Sequence, residues 1–274
     1  MKKTDLSSQI RSKKTFLTVG LDPDFNRIPS HLKSKADPIF EFNKNIIDHT
    51  KEHCIAYKPN IAFYEAQGIM GWESLIKTEA YIPKTHFKIA DAKRGDIGNT
   101  SRQYAEAFFK QMNFDAITVA PYMGIDSVSP FLEYTDKWVI LLGLTSNKGS
   151  KDFQFIKNAE TGKYLFEEVI ESSIKWGTTD NLMFVIGATH PENFEGIRKI
   201  IPDHFLLVPG VGAQGGDLEA IIKYGANQNG GLLINSSRGI IFSSEGEDYA
   251  EAAGRSAAEL SEAMSRCLGG NSSS

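Results

Sequence analysis

The chain has 274 residues, 41% of them hydrophobic and 11% aromatic, the composition of a globular protein with a sizeable core. Its formal net charge is −4 with both signs spread along the sequence, and no apolar run approaches the ~20 residues of a membrane span, so neither a nucleic acid nor a membrane is an expected partner. The opening "MKKTDLSSQIRSKKTF" lacks the apolar stretch of a secretory signal, and Cys54 and Cys267 are too few and too far apart for a disulfide framework or a zinc site. Two reduced thiols in a cytoplasmic protein are therefore expected.

Short β-rich apolar runs recur in chain order. They are "TFLTVGLD" (15–22), "CIAYKPNI" (54–61), "HFKIADAK" (86–93), "DAITVAPY" (115–122), "WVILLGLTS" (138–146), "LMFVIGAT" (182–189), "HFLLVPGVG" (204–212) and "GGLLINSSRG" (230–239). Between them lie segments with helical spacing, such as "DPIFEFNKNIIDHTKEH" (37–53) and "NTSRQYAEAFFKQM" (99–112), the latter opened by a capping Asn or Thr. "GKYLFEEVIESSIKW" (162–176) and "DYAEAAGRSAAELSEAMSRC" (248–267) read the same way. Strand alternating with helix predicts a parallel sheet, and about eight such units in one chain of this length favour an α/β fold of the (β/α)8 TIM-barrel type, which typically takes about 250 residues. A doubly wound sheet is the runner-up, but the first strand lacks the G-x-G-x-x-G turn a dinucleotide needs. No linker divides the chain, so residues 1–274 read as one barrel domain with "GGNSSS" (269–274) as a disordered tail. The long polar connection "NKGSKDFQFIKNAET" (147–161) has the look of a mobile lid.

In such barrels chemistry sits at the C-terminal ends of the strands, and here those ends are unusually polar. The first closes on Asp22, the second on Lys58 and Asn60, and the third on Asp91 and Lys93, with Asp96 just beyond. The fifth ends at Thr145 and Ser146, the seventh at Gln214, and the eighth at Ser236, Ser237 and Arg238. In "IADAK" strand period two turns Asp91 and Lys93 the same way, with Ala90 and Ala92 on the opposite face. A purely structural ion-pair network is a real competitor for one Asp–Lys pair. With Lys58 and Asp22 aimed at the same mouth, a functional cluster is favoured. The segments "PGVGAQGGD" and "NSSRGI" add glycine-flanked amides, a neutral donor in Gln214 and a permanent cation in Arg238. Loops after strands seven and eight are the recurrent phosphate site of these barrels, which points to a phosphorylated ligand.

The segment "DAKRGDIGNT" (91–100), with the upstream "GLDPD" and "AYKPN", resembles the D-x-K-x-x-D-I-x-x-T hallmark of the orotidine 5′-phosphate decarboxylases. The stretches "TVAPYMGIDSVSPF" (118–131), "GLTSN" (143–147), "PGVGAQ" and "SSRGI" are similar to the longer-chain branch of that family, so the resemblance covers most of 15–242. It implies decarboxylation of orotidine 5′-phosphate to uridine 5′-phosphate in pyrimidine biosynthesis, without cofactor or metal. It further implies an alternating array of Lys58, Asp91, Lys93 and Asp96. Asp96 would reach in from the second subunit of a homodimer with shared active sites, and Lys93 would protonate C6. By the same resemblance Asp22 and Lys58 hold ribose hydroxyls, joined by Thr100 of the partner chain and by Asn60. Ser146 would read the pyrimidine edge, and Gln214 with Arg238 would grip the 5′-phosphate.

Three other readings compete. A metal-dependent sugar-phosphate decarboxylase or synthase on the same barrel would want an oxygen ligand where Lys58 stands. A Schiff-base aldolase needs a neutral lysine, whereas flanking carboxylates favour the charged ammonium. A simple phosphate-binding barrel leaves the Asp–Lys array without a task.

Overall fold

A computed structural model describes residues 1–189, 192–211 and 217–270. Eight parallel strands close into a barrel in sequence order, β1 (Leu17–Leu21), β2 (Ala56–Pro59), β3 (Phe87–Arg94), β4 (Ala116–Val119), β5 (Trp138–Leu144), β6 (Leu182–Ile186), β7 (Leu206–Pro209) and β8 (Leu232–Ser236). Each lies inside its expected apolar run except β3, which runs one residue further, to Arg94. Both faces of these strands are covered, which is why they read as continuous Val, Ile and Leu rather than as alternating patterns. Among the described residues no helix is long and apolar enough to cross a membrane.

The helices follow in order: α1 (Lys3–Lys13), α2 (Pro38–Thr50), α3 (Ile61–Glu65), α4 (Gly68–Tyr81), α5 (Gly98–Glu106) and α6 (Ile125–Leu132). They continue with α7 (Leu165–Ser173), α8 (Glu192–Ile200), α9 (Leu218–Gly225), α10 (Arg238–Ile241) and α11 (Tyr249–Gly270). Local chemistry explains several starts. Asp37 caps α2 by accepting from the Phe40 N–H at 3.0 Å, with Pro38 at the first helical position. The last helix packs along α2, where Tyr249 stacks on Phe42 with ring centroids 5.2 Å apart.

Two sequence expectations need correction. Neither Asn99 nor Thr100 caps α5, which begins at Gly98 with Ile97 in the capping position and no side-chain cap. Gly98 has φ +52°, so the chain turns sharply into the helix. The connection after β5 is also more built than a mobile polar lid. Gln154 takes the Thr145 N–H at 2.9 Å and returns a hydrogen bond to the Thr145 hydroxyl at 2.8 Å. Phe155 packs edge-on against Tyr164 and Phe166. The tail expectation falls largely on 271–274, outside the described residues; α11 itself extends to Gly270.

Candidate active site

Adjacent strands carry the central charges into the mouth of the barrel. Lys58 is buried, and its ammonium donates to Asp91 Oδ2 at 2.7 Å. The Lys93 ammonium donates to Asp91 Oδ1 at 2.5 Å, so one carboxylate joins two cations. Burial alone would lift the Asp91 carboxyl, but the Lys58 and Lys93 charges and their hydrogen bonds overcome it and hold it well below the usual carboxylate range. Burial likewise opposes the charge on Lys58, and Asp91 with Asp22 outweighs it, raising the Lys58 pKa.

Asp22, just past β1, behaves in the opposite way. Burial raises its pKa despite the nearby Lys58 charge. Its Oδ1 is sealed from solvent and has no hydrogen-bond partner in the described protein, and Asn235 Oδ1 is in the same position. Both residues line the mouth cavity together with Lys58, Asn60, Asp91, Gly210 and Arg238. Orphaned acceptors in the wall of a cavity are places where a ligand's hydroxyl or amide protons would be accepted once a small side-chain rotation opens them. Gly20 makes this closure possible, because a Cβ there would meet Ser237 Oγ at 1.8 Å.

The remaining expected residues divide. Asn60 lines the cavity while its side chain caps α3 through the Ala62 N–H at 3.3 Å. Arg238 is exposed on the rim, and its guanidinium has no hydrogen bond or ion pair among the described residues. Ser146 lies at the end of β5, pressed against Gly187, where a Cβ would come within 2.6 Å of the Ser146 backbone nitrogen. Asp96 and Thr100 are not among the residues lining this chain's cavity. Asp96 instead accepts the Ile97 N–H at 2.7 Å, and Thr100 is exposed on α5. Gln214 lies outside the described residues.

Period two brings Asp91 inward but does not carry to Lys93. That residue has φ +46°, in the left-handed region, and the β3–β4 register shifts between Ala90 and Arg94. Lys93 still reaches Asp91, through a kink rather than through strand alternation. Arg94 departs to the outside, where it pairs with Glu65 of α3 and lies over the Tyr104 and Phe108 rings. Two mouth residues went unread in the sequence. Asn235 was hidden in the apolar run of β8. Thr118, the inward position of β4, accepts the Lys93 N–H at 2.8 Å and donates to Asp91 Oδ1 at 3.1 Å. Strand alternation on "AITV" could have flagged it.

A family model described as orotidine 5′-phosphate decarboxylase / HUMPS family matches residues 16–253. The chain belongs to this family. An orotidine 5′-phosphate decarboxylase of Bacteroides fragilis is 55% identical over 271 residues, spanning 98% of this chain and 98% of that protein. One of Christiangramia forsetii is 57% identical over 267 residues, covering 96% of this chain and 97% of the relative. The solved OMP decarboxylase of Leishmania donovani superposes with a TM-score of 0.82 at 38% identity, covering 97% of this chain and all of that one. The family resemblance read from "DAKRGDIGNT" thus extends over nearly the whole fold.

Proposed function

We propose that the chain decarboxylates orotidine 5′-phosphate to uridine 5′-phosphate, with Lys93 as the proton donor. The observation that carries the reading is the Lys58–Asp91–Lys93 array, one carboxylate gripped at 2.7 and 2.5 Å by two ammoniums at the barrel mouth. In the proposed reaction the C6–carboxylate bond breaks, carbon dioxide leaves, and the electron pair stays on C6. The Lys93 ammonium beside that carbon stabilises the developing charge, an effect magnified where water is excluded. It then transfers a proton to C6 and is itself reprotonated from solvent. Asp91 aims both ammoniums. No step calls for a cofactor or metal, and the ammonium of Lys58 beside Asp91 opposes placing a cation there, which disfavours the metal-dependent branch of the family.

Binding follows from the same mouth. Asp22 and Lys58, with Asn60, would hold the ribose hydroxyls, the Asp22 carboxylate rotating to take one of their protons. Arg238, unpaired on the rim, would grip the 5′-phosphate together with Gln214. Ser146 at the end of β5 would read the pyrimidine edge. Remote binding of the phosphate supplies energy for ordering the site around the reacting carbon.

Asp96 and Thr100 would complete a second subunit's site in a homodimer. The segments that carry and flank them support this. Ile97, Tyr122, Met123 and Ile125 are exposed apolar side chains on the segments after β3 and β4, and Met123 lies 3.8 Å from where a Gly95 Cβ would stand. Large apolar side chains left exposed on neighbouring segments are the kind of surface that associates. The test is direct. Orotidine 5′-phosphate added to the purified protein should lose its absorbance with stoichiometric release of carbon dioxide, and no turnover would overturn the reading. The activity should survive a chelator.

A further inference from the structure

Between β3 and β4 the ladder pairs Ala90 with Ile117 and next pairs Arg94 with Val119. Three residues, Asp91, Ala92 and Lys93, therefore stand against Thr118 alone. An irregularity of this kind leaves backbone groups without their ladder partners. The Lys93 N–H is one of them, and it is taken by a side chain: it donates to Thr118 Oγ1 at 2.8 Å. The same hydroxyl passes its only proton to Asp91 Oδ1 at 3.1 Å. Lys93 holds φ +46° at this point, a conformation that non-glycine residues seldom adopt without a reason in their surroundings. Thr118 is buried, so water does not stand ready to replace it.

We infer that Thr118 is a positioning residue for the decarboxylation, fixing through one hydroxyl both the left-handed backbone of Lys93 and the orientation of Asp91. The inference rests on the reaction proposed above and adds to it a group that touches neither the substrate nor the reacting carbon. Asp91 Oδ1 receives two bonds, one from the Lys93 ammonium and one from Thr118. The hydroxyl thus ties the backbone of Lys93 to the same oxygen that its side chain grips. Loss of the hydroxyl frees the kink to relax, and a small displacement of the ammonium from C6 is costly to the chemical step while leaving the phosphate and ribose contacts in place.

The experiment compares wild type, Thr118→Val and Thr118→Ser in steady-state turnover of orotidine 5′-phosphate, with uridine 5′-phosphate affinity measured alongside. Valine keeps the shape and loses the hydroxyl; serine keeps the hydroxyl. Thr118→Val should lower kcat by about ten- to a hundredfold, the effect of one hydrogen bond to a charged group. Uridine 5′-phosphate affinity should stay within about threefold, and Thr118→Ser should retain kcat within about threefold of wild type. A merely structural role would instead make both variants fail alike or make affinity fall in step with kcat, and either result overturns the inference. An unchanged kcat in Thr118→Val overturns it as well. If Thr118→Val does not fold, Thr118→Ala is judged by the same criteria. Absence of turnover in the wild type is a different failure, because it removes the proposed reaction itself and this inference with it.

Discussion

Arg198 and Lys58 are both cations held at the ends of the barrel, yet their partners differ in kind. Arg198 sits at the floor, among the segments leading into β7 and β8, and donates to four carbonyl oxygens, those of Gly225, Ile201, His204 and Gly231, at 2.6–3.0 Å. Burial lowers its pKa to about 10, but these contacts leave it fully engaged with the backbone. Lys13 does the same below β2, donating to the Lys51 and Cys54 carbonyls at 2.6 and 2.9 Å. At the mouth, Lys58 and Lys93 share one carboxylate, Asp22 and Asn235 keep orphaned oxygens, and Lys93 is held in a kink. Floor cations are consumed by the fold, whereas the mouth keeps charge and acceptors in reserve. The presence of a buried charge does not mark a site. What marks it is the pairing of shared charges with orphaned acceptors around one cavity. An orphaned polar atom alone does not, since His204 at the floor also leaves both ring nitrogens without a partner among the described residues.

Three substitutions probe that contrast, from the largest expected effect downward. Lys93→Ala should lower kcat by at least ~10²-fold, because it removes both the charge stabilisation and the proton donor. Its melting temperature should stay near that of wild type, since Lys93 is half-exposed and anchors no other element. A folded Lys93→Ala protein with near-normal turnover would end the assignment. Arg198→Ala should do the reverse. Losing charged hydrogen bonds to four carbonyls should cost about 2–5 kcal/mol, or roughly 5–15 °C in melting temperature. Turnover per folded molecule should hold, and a kcat loss larger than the folded fraction explains would make the floor part of the catalytic apparatus.

Asp22→Asn should change stability less than Arg198→Ala does, and with the opposite sign. The raised pKa of Asp22 means folding favours its protonated form, so the ionised carboxylate costs stability at every pH above that raised value. The amide removes the cost. At pH 7 the variant should melt a few degrees above wild type, and the gap should close as the pH falls through the raised pKa of Asp22. The same variant should bind substrate less well, a trade expected of a group kept for a ligand. Thermal melts at pH 4 and pH 7 check the sign; a variant less stable than wild type at pH 7 would mean that the Lys58 attraction outweighs burial.

Much of this mouth was legible because its rules are local. Each strand is an apolar run that ends where polar residues begin, and period two is enough to turn Lys58 and Asp91 inward. What escaped was set by neighbours distant in sequence. Thr118 reads as one more β-branched residue in "AITVAPY", and its task arises only from the shifted register against β3. Arg94, next to Lys93 in sequence, reads as one more charge for the mouth, but Glu65, 29 residues earlier, draws it outward. The left-handed turn at Lys93 leaves no glycine or asparagine as a signal, because a hydrogen bond rather than residue type sustains it. The start of α5 at Gly98 was misplaced onto Asn99 or Thr100 because both are good capping residues in isolation.

The central claim is that two chains build each site, with Asp22, Lys58, Asp91 and Lys93 from one and Asp96 and Thr100 from the other. In this chain Asp96 accepts the N–H of Ile97 at 2.7 Å, and among the described residues it makes no ion pair with Lys58 or Lys93, which leaves its carboxylate free for another chain's site. Mixing inactive Lys93→Ala with inactive Asp96→Ala subunits tests it most directly. In a mixed dimer one site carries both lesions and the other carries neither. Random re-pairing of equal amounts makes about half the dimers mixed, so roughly a quarter of all sites should recover activity, as two-fold symmetry demands. A mixture that stays as inactive as its parents, while mass spectrometry shows mixed dimers present, would contradict the account and return Asp96 to its own chain.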